Sequence, residues 1–321
     1  MNDVKHQEFL ANIAQDFYIS KMTVTELSQK YDLSRYLINK SLDEALSSGL
    51  VKISVATPIT RNLELEMRFK KEFGIRDAFI IKDSDTPNDN NENIIEYAAE
   101  EIQNLIRKSR VVGLTWGDTV LSTIAHFQTQ FKDDVVFTQF VGDNMKYNSL
   151  SGATPIVEKA ATKFGAPYLT MPGPLYIMNN DARIALQKEP ALFPAFNTAS
   201  RMDLLFTGIG TLSSVDTIPV WKQHQTEIFK GVDLEQVAGM LYGRPYDING
   251  NILNMTDDKT FGISVDNIMT TTHRIGIVKS KFKARALLGA LRGQLLTEVV
   301  TNEAVANRVL LEENENPVIA Q

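Results

Sequence analysis

The sequence predicts an α/β protein in two parts: a small N-terminal helix-turn-helix unit over residues 1–56 and a larger, Rossmann-like unit with a mostly parallel sheet over residues 57–321. Three observations predict it. Two short helical patterns joined by a tight turn stand near the N-terminus, short apolar runs then alternate with helical stretches along most of the chain, and 321 residues exceed the size of a typical single core.

The first pattern opens at Thr23, which with Glu26 has the T-x-x-E spacing of a capping box: the hydroxyl accepts from the backbone N–H three residues on, and the Glu reaches back to the cap. Leu27 and Tyr31 share one face of that helix, Asp32 and Leu33 make the turn, and Ser34 caps a second helix. Ile38, Leu42, Ala45 and Leu46 recur there at the spacing of a buried stripe. Arg35, Tyr36, Asn39 and Lys40 fall on the other face in the first two turns, the part of a recognition helix that reaches base edges. The candidate DNA-contacting residues are therefore Thr23, Thr25, Ser34, Arg35, Tyr36, Asn39 and Lys40. Gly49 ends the helix, residues 50–55 read as an extended exit strand, and the boundary falls near Ala56-Thr57-Pro58, where proline disfavours helix before it. Charge does not help: seven acidic residues oppose six basic ones in this segment, so duplex binding needs cations focused on one face and dimerisation to add phosphate contacts. The same pattern also fits a helical hairpin packed on a larger body.

Composition narrows the classes. The 43% hydrophobic and 22% charged residues are those of an ordinary soluble globular chain, and a formal charge of -6 gives no reason to expect membrane or general polyanion binding. Without cysteine there is no disulfide framework and no thiolate metal site. No basic-then-apolar leader and no apolar run of about 20 residues occurs, so a cytoplasmic protein is expected.

Past the boundary, a linking helix carries Leu63, Met67 and the run 69–73, ending at Gly74. Strands are then expected over 78–81, 111–114, 135–141, 168–170, 204–208 and 274–278, with helices over 94–106, 119–127, 155–164 and 284–291. Asn249-Gly250 is a turn signal suited to a hairpin, and the acidic tail 312–321 is expected to fray.

In such a fold ligands bind beyond the C-terminal ends of the strands, where loops meet helix N-termini. Four segments stand there: Thr115-Trp116-Gly117-Asp118-Thr119, whose N–H groups and hydroxyls suit an anion or a sugar; Gly142-Asp143-Asn144; Gly208, Gly210 and Thr211; and Lys279, Ser280, Lys281 and Lys283. Each alone is what a strand-to-helix turn requires; together they favour a pocket. Catalytic readings fare worse. His6, His126, His224 and His273 lack metal-binding spacing, Gly208 and Gly210 lack the third glycine of a dinucleotide fingerprint, and no P-loop occurs, so no catalytic residue, metal or cofactor is assigned. Trp116 and Trp221 read as packing residues that could also stack on a sugar face.

Several runs carry a resemblance: the helix-turn-helix over 27–50, Val112-Gly113-Leu114-Thr115-Trp116-Gly117, Phe206-Thr207-Gly208-Ile209-Gly210, the stretch from Ala238-Gly239 through Tyr246-Asp247 to Gly250, Lys283-Ala284 through Ala290-Leu291-Arg292-Gly293, and the run 300–306. Together they resemble the SorC family of bacterial sugar-responsive transcriptional regulators, grouped with DeoR, over nearly the full length. The resemblance implies an effector domain akin to the sugar-phosphate isomerase and coenzyme A transferase folds, used for sensing rather than catalysis. It also implies operator DNA and a small carbohydrate, commonly phosphorylated, as partners, and a homodimer or homotetramer as the assembly. Carried over by position, Thr115, Gly117, Thr119, Gly142, Asp247 and Lys283 line the effector pocket, joining Asp118, Asp143, Gly208, Gly210 and Lys279 from the strand-end reading.

Departures bear on the ligand. Asp118 stands where phosphate-sensing relatives often have a small hydroxyl residue, and its charge would oppose a phosphate if it faced the pocket. Val278-Lys279-Ser280 replaces Ala-Gly-Gly, Met240 replaces an Asp, and Val141 stands where some relatives have an imine-forming Lys. Two other classes stay open: a sugar-phosphate isomerase or deaminase using carboxylates such as Asp118 and Asp143, and a module whose helical unit only assembles subunits.

Overall fold

The computed structural model describes residues 2–51, 59–84, 86–144 and 153–316. The chain divides into two compact units, Met1–Pro58 and Ile59–Gln321. In the first, α1 (Asn2–Tyr18), α2 (Val24–Lys30) and α3 (Arg35–Ser47) enclose one small core of Leu10, Ile13, Ala14, Leu27, Ile38, Leu42 and Ala45. The caps form as the spacing predicts: the Thr23 N–H donates to the Glu26 carboxylate at 2.7 Å, the Glu26 N–H donates to the Thr23 hydroxyl at 3.3 Å, and Ser34 accepts from the Leu37 N–H. Asp32 turns the chain at φ +53 and Gly49 closes α3 at φ +78.

Helix α1 has no counterpart in the sequence reading, which starts at Met22. Asp16, near its end, binds the Lys30 ammonium and the Tyr31 hydroxyl at 2.6 Å each, and these two bonds hold its carboxyl below the usual range. Leu46, expected in the buried stripe, is 37% exposed, because the α1 contacts close the core on the Ile38–Leu42–Ala45 side. Of the expected exit strand, Leu50 and Val51 form a bend; the rest of it, and the Ala56-Thr57-Pro58 boundary, lie outside the described residues.

The second unit runs α4 (Leu63–Phe73), β1 (Asp77–Ile81), α5 (Pro87–Ile106), β2 (Val111–Leu114), α6 (Asp118–Ala125), β3 (Val136–Gln139), α7 (Ala153–Phe164), β4 (Tyr168–Leu169), α8 (Asn180–Gln187), α9 (Phe193–Ala199) and β5 (Leu204–Gly208). It continues through α10 (Leu212–Asp216), α11 (Pro219–Gln223), α12 (Gln225–Ile228), β6 (Gly239–Leu241), β7 (Arg244–Tyr246), α13 (Val265–Met269), β8 (His273–Ile277), α14 (Ala284–Arg292), β9 (Glu298–Asn302) and α15 (Glu303–Glu315). Seven strands pair in the order β1-β9-β8-β5-β2-β3-β4, every pair parallel. Alternate residues serve opposite faces: Leu205 and Val299 enter a core with α4, α14 and α15, whereas Leu204, Phe206 and Val300 enter another with α5, α6 and α7. The sheet is therefore doubly wound, and its strand ends face loops and helix starts.

The differences from expectation have local causes. Helix α5 starts at Pro87, earlier than its apolar stripe, because Thr86 caps it by accepting from the Asp89 N–H at 3.2 Å and residues 87–93 are polar. Strand β3 stops at Gln139 although Phe140 and Val141 are buried; Val141 bridges to Gly262 instead of the neighbouring strand, so apolarity there marks burial and not a ladder. Asn249-Gly250 does turn, with the Asp247 carboxylate accepting from the Asn249 and Asn251 N–H groups at 2.9 Å, closed by a single Tyr246–Ile252 bridge. The β6–β7 hairpin turns elsewhere, at Tyr242 and Gly243, both at positive φ. Strand β9 and helix α15 were not expected as elements, and the start of the tail is not frayed: α15 reaches Glu315, and Glu313 pairs with Arg292 at 3.0 Å.

Candidate functional site

Each unit presents one candidate surface. On the first, Thr23, Thr25, Ser34, Arg35, Tyr36, Asn39 and Lys40 are all exposed, Tyr36 at 74%. Burying Ile38 and Leu42 under α1 turns the opposite, polar face of α3 outward. The Thr23 and Ser34 hydroxyls accept as helix caps, and Arg35, Tyr36, Asn39 and Lys40 present side-chain donors on the exposed face of α3.

On the second unit, a cavity of about 350 Å³ opens at the C-terminal ends of β2, β5 and β8, within the size range of small-molecule sites. Its floor comes from strand ends. Thr115 and Thr207, both buried, meet hydroxyl to hydroxyl at 3.1 Å; the Thr207 hydroxyl donates to the Gly208 carbonyl, so Thr115 donates to Thr207. Gly117, at φ +134, is the N-cap of α6 and supplies no side-chain cap, and Asp118 is the first residue of that helix. Gly208 lies beside Thr119, where a Cβ would make ordinary contact with the Thr119 side chain at 3.4 Å. Gly210 exchanges backbone hydrogen bonds with Met240 at 3.0 and 2.9 Å, which latches the β6–β7 hairpin over the end of β5.

One wall is aromatic. The Trp116 and Trp221 rings lie 5.9 Å apart, and Tyr176 packs edge-on against Trp221 at 5.0 Å. The Trp116 indole Nε1 is buried without a hydrogen-bond partner. Opposite in charge to Asp118, Lys283 donates to the Ile209 carbonyl at 2.6 Å; burial pushes its pKa down, and Lys279 nearby adds to the shift.

Thus the cavity brings together Thr115, Gly117, Asp118, Thr119, Gly208, Gly210 and Lys283. Gly142, Asp143, Asp247 and Lys279 do not line it. Gly142 is a close-packing glycine, where a Cβ would fall 2.5 Å from the Pro174 carbonyl oxygen; Asp143 bonds through its N–H to Gly173; and Asp247 is committed to its turn. Asn144, from the strand-end segment 142–144, does line the cavity, and Tyr176, Ser214, Thr217 and the hairpin 240–243 line it without having been expected, because they come from excursions between strands. Trp116 and Trp221 pack on each other and also line the site.

A three-helix unit with a capped, outward-facing helix, followed by a doubly wound unit with a ligand-sized cavity, is the architecture of a ligand-responsive DNA-binding transcriptional regulator. A family model described as "Putative sugar-binding domain" matches residues 57–311, and the chain belongs to that family. It is a regulator of the SorC/DeoR type. It is similar to the sorbitol operon regulator of Klebsiella pneumoniae, 23% identical over 305 residues that cover 94% of this chain and 97% of the relative. The deoxyribonucleoside regulator of Bacillus subtilis is 20% identical over 313 residues, covering 96% and 99%. Among solved structures, full-length SorC from Klebsiella pneumoniae superposes with a TM-score of 0.69 at 24% identity, covering 94% of this chain and 98% of that one. A transcriptional regulator from Streptococcus pneumoniae gives 0.69 at 19% identity, covering 78% and 97%. Among the described residues no helix is long and apolar enough to cross a membrane.

Proposed function

We propose that this regulator acts in the cytoplasm on operator DNA through α3 and is switched by a small carbohydrate held in the cavity at the ends of β2, β5 and β8. The observation that carries the reading is the cavity itself: hydroxyls, an aromatic wall and two charged groups converge where doubly wound folds hold ligands. The resemblance to regulators named for sorbitol and deoxyribonucleosides supports a carbohydrate as the occupant.

In this reading Arg35 and Asn39 read base edges by bidentate hydrogen bonds and Lys40 touches phosphate. A single three-helix unit with mixed charge binds weakly, so two or four copies are required, as a homodimer or homotetramer on paired half-sites. The carbohydrate acts by binding the DNA-competent and DNA-incompetent arrangements with different affinity, since equal affinity for both shifts nothing. Fluorescence anisotropy with a labelled duplex from the region upstream of the regulator's own gene tests this: binding that weakens steeply with salt and changes with an added carbohydrate is expected, and salt-independent or absent binding contradicts it.

A further inference from the structure

We propose that residues 59–62, by which the chain enters the second unit, form a strap that relays the state of the cavity to the DNA-binding unit, with Asn62 and Glu303 as its positioning residues. The inference rests on the cavity being the effector site and α3 the operator contact. The strap runs antiparallel along the edge of β1 away from β9: the Asn62 N–H donates to the Ile80 carbonyl and the Lys82 N–H to the Thr60 carbonyl, each at 2.8 Å, around an Arg61–Ile81 bridge. So short a ladder holds little by itself. Side chains fix it at two points. At the first, Arg61 donates through Nε and Nη2 to the buried Glu66 carboxylate at 2.7 and 2.6 Å and through Nη1 to the Tyr97 hydroxyl at 2.7 Å. Breaking this clamp would strand a buried charge, so Arg61 is the fixed point.

At the second, the Asn62 Nδ2 donates to the Glu303 carboxylate at 2.6 Å. This is a single bond between two half-buried residues, and it is the point that can let go. Glu303 opens α15, and α15 also packs on the short helical turn Lys281–Lys283, whose last residue lines the cavity. The strands leading into the two are joined as well: the Val278 N–H donates to the Val300 carbonyl at 3.0 Å, and the Thr301 hydroxyl donates to the Val278 carbonyl at 2.7 Å. A ligand that displaces Lys283 therefore acts on the helix whose first residue holds the strap. Coupling requires two arrangements that the ligand binds with different affinity, and here they are the Asn62–Glu303 bond closed and open.

The test exchanges donor and acceptor. Asn62 also caps α4, its Oδ1 accepting from the Leu65 N–H at 3.1 Å, so Asn62→Asp keeps the cap while setting one carboxylate against another. In the double variant Asn62→Asp/Glu303→Gln the bond forms again with its polarity reversed, and the new amide oxygen still accepts from the Asp83 N–H, as Glu303 does at 3.1 Å. The readout is the factor by which saturating carbohydrate changes the anisotropy-derived affinity of the full-length protein for the duplex named above. Sorbitol, sorbitol 6-phosphate, deoxyribose and deoxyribose 5-phosphate are the probes, and emission from Trp116 and Trp221, which both line the cavity, reports saturation. The wild type is expected to show a factor of about five or more with at least one probe, Asn62→Asp a factor below about two, and the double variant a return to the wild-type value, with the indole signal saturating in all three. Glu303→Gln alone, which leaves donor facing donor, takes the place of Asn62→Asp should that variant unfold by circular dichroism. A single variant that keeps the wild-type factor, or a double variant that stays as low as the single, overturns the proposal and leaves the effector reading standing. A wild type whose operator affinity no probe changes overturns that reading, and the proposal with it.

Discussion

The two units differ in how their functional surfaces are encoded. The candidate DNA contacts of the first, Arg35, Tyr36, Asn39 and Lys40, fall within two turns of one helix, above a seven-residue core that includes Ile38. The cavity of the second draws on Thr115, Gly208, Met240 and Lys283, which are brought together only by strand order β8-β5-β2 and a hairpin latched over it. A local surface can be read from periodicity; a convergent one requires the topology first.

The sharpest way to break this comparison is a pair of core truncations. Phe206→Ala, in the sheet beside Phe127, is expected to destabilise by about 3 to 5 kcal/mol, and Ile38→Ala by about 2 to 5 kcal/mol. Urea unfolding followed by indole emission reads only the second unit, because Trp116 and Trp221 both lie there. Ile38→Ala should therefore abolish operator binding while moving the emission transition far less than Phe206→Ala does. An equal shift would mean that the two units do not unfold separately.

Replacing Arg35 by Ala sharpens the account of the first surface. A loss of about 1 to 3 kcal/mol in operator affinity, with relaxed specificity at one base pair, is expected, whereas Lys40→Ala should weaken all sequences alike and lower the salt slope by about 1. Anisotropy titrations at several salt concentrations separate the two; an Arg35→Ala protein with full affinity and specificity removes the direct-readout role. Smaller again is Thr23→Ala, which deletes one half of the capping box and should cost the first unit about 1 kcal/mol, read by helical circular dichroism during thermal unfolding.

How much was legible follows the same division. Thr23, Glu26 and Ser34 announce α2 and α3, and β2 and β5 are found over their observed spans, because caps and apolar runs act over a few residues. Helix α1 was missed: its stripe of Leu10, Ile13 and Ala14 makes sense only once α2 and α3 exist to be covered. In the cavity, the strand-end rule reached Thr115, Gly117 and Gly208, but it also drew in Gly142, whose missing Cβ serves packing against Pro174. Tyr176 and the hairpin 240–243 carried no such signal, since their place depends on contacts between distant segments.

The smallest expected effect concerns Lys283. Its pKa in the folded chain lies below that of the unfolded chain, so the unfolded state binds more protons in the window between them. Stability should accordingly rise as pH climbs through the folded value toward 10.5 and level off beyond, and Lys283→Met should remove that rise. Chemical denaturation across the alkaline range checks it; a wild type and variant with parallel profiles would show that Lys283 is not desolvated.

The central claim, that occupancy of the cavity governs the DNA-facing helix, is tested most directly by following both signals in one titration. Carbohydrate is added to the protein bound to fluorescently labelled operator, and indole emission and operator anisotropy are recorded together. The account predicts that operator affinity changes with the same half-saturation as the indole signal, and by linkage that operator alters carbohydrate affinity by the same factor. Saturation of the indole signal with operator affinity unchanged would contradict it.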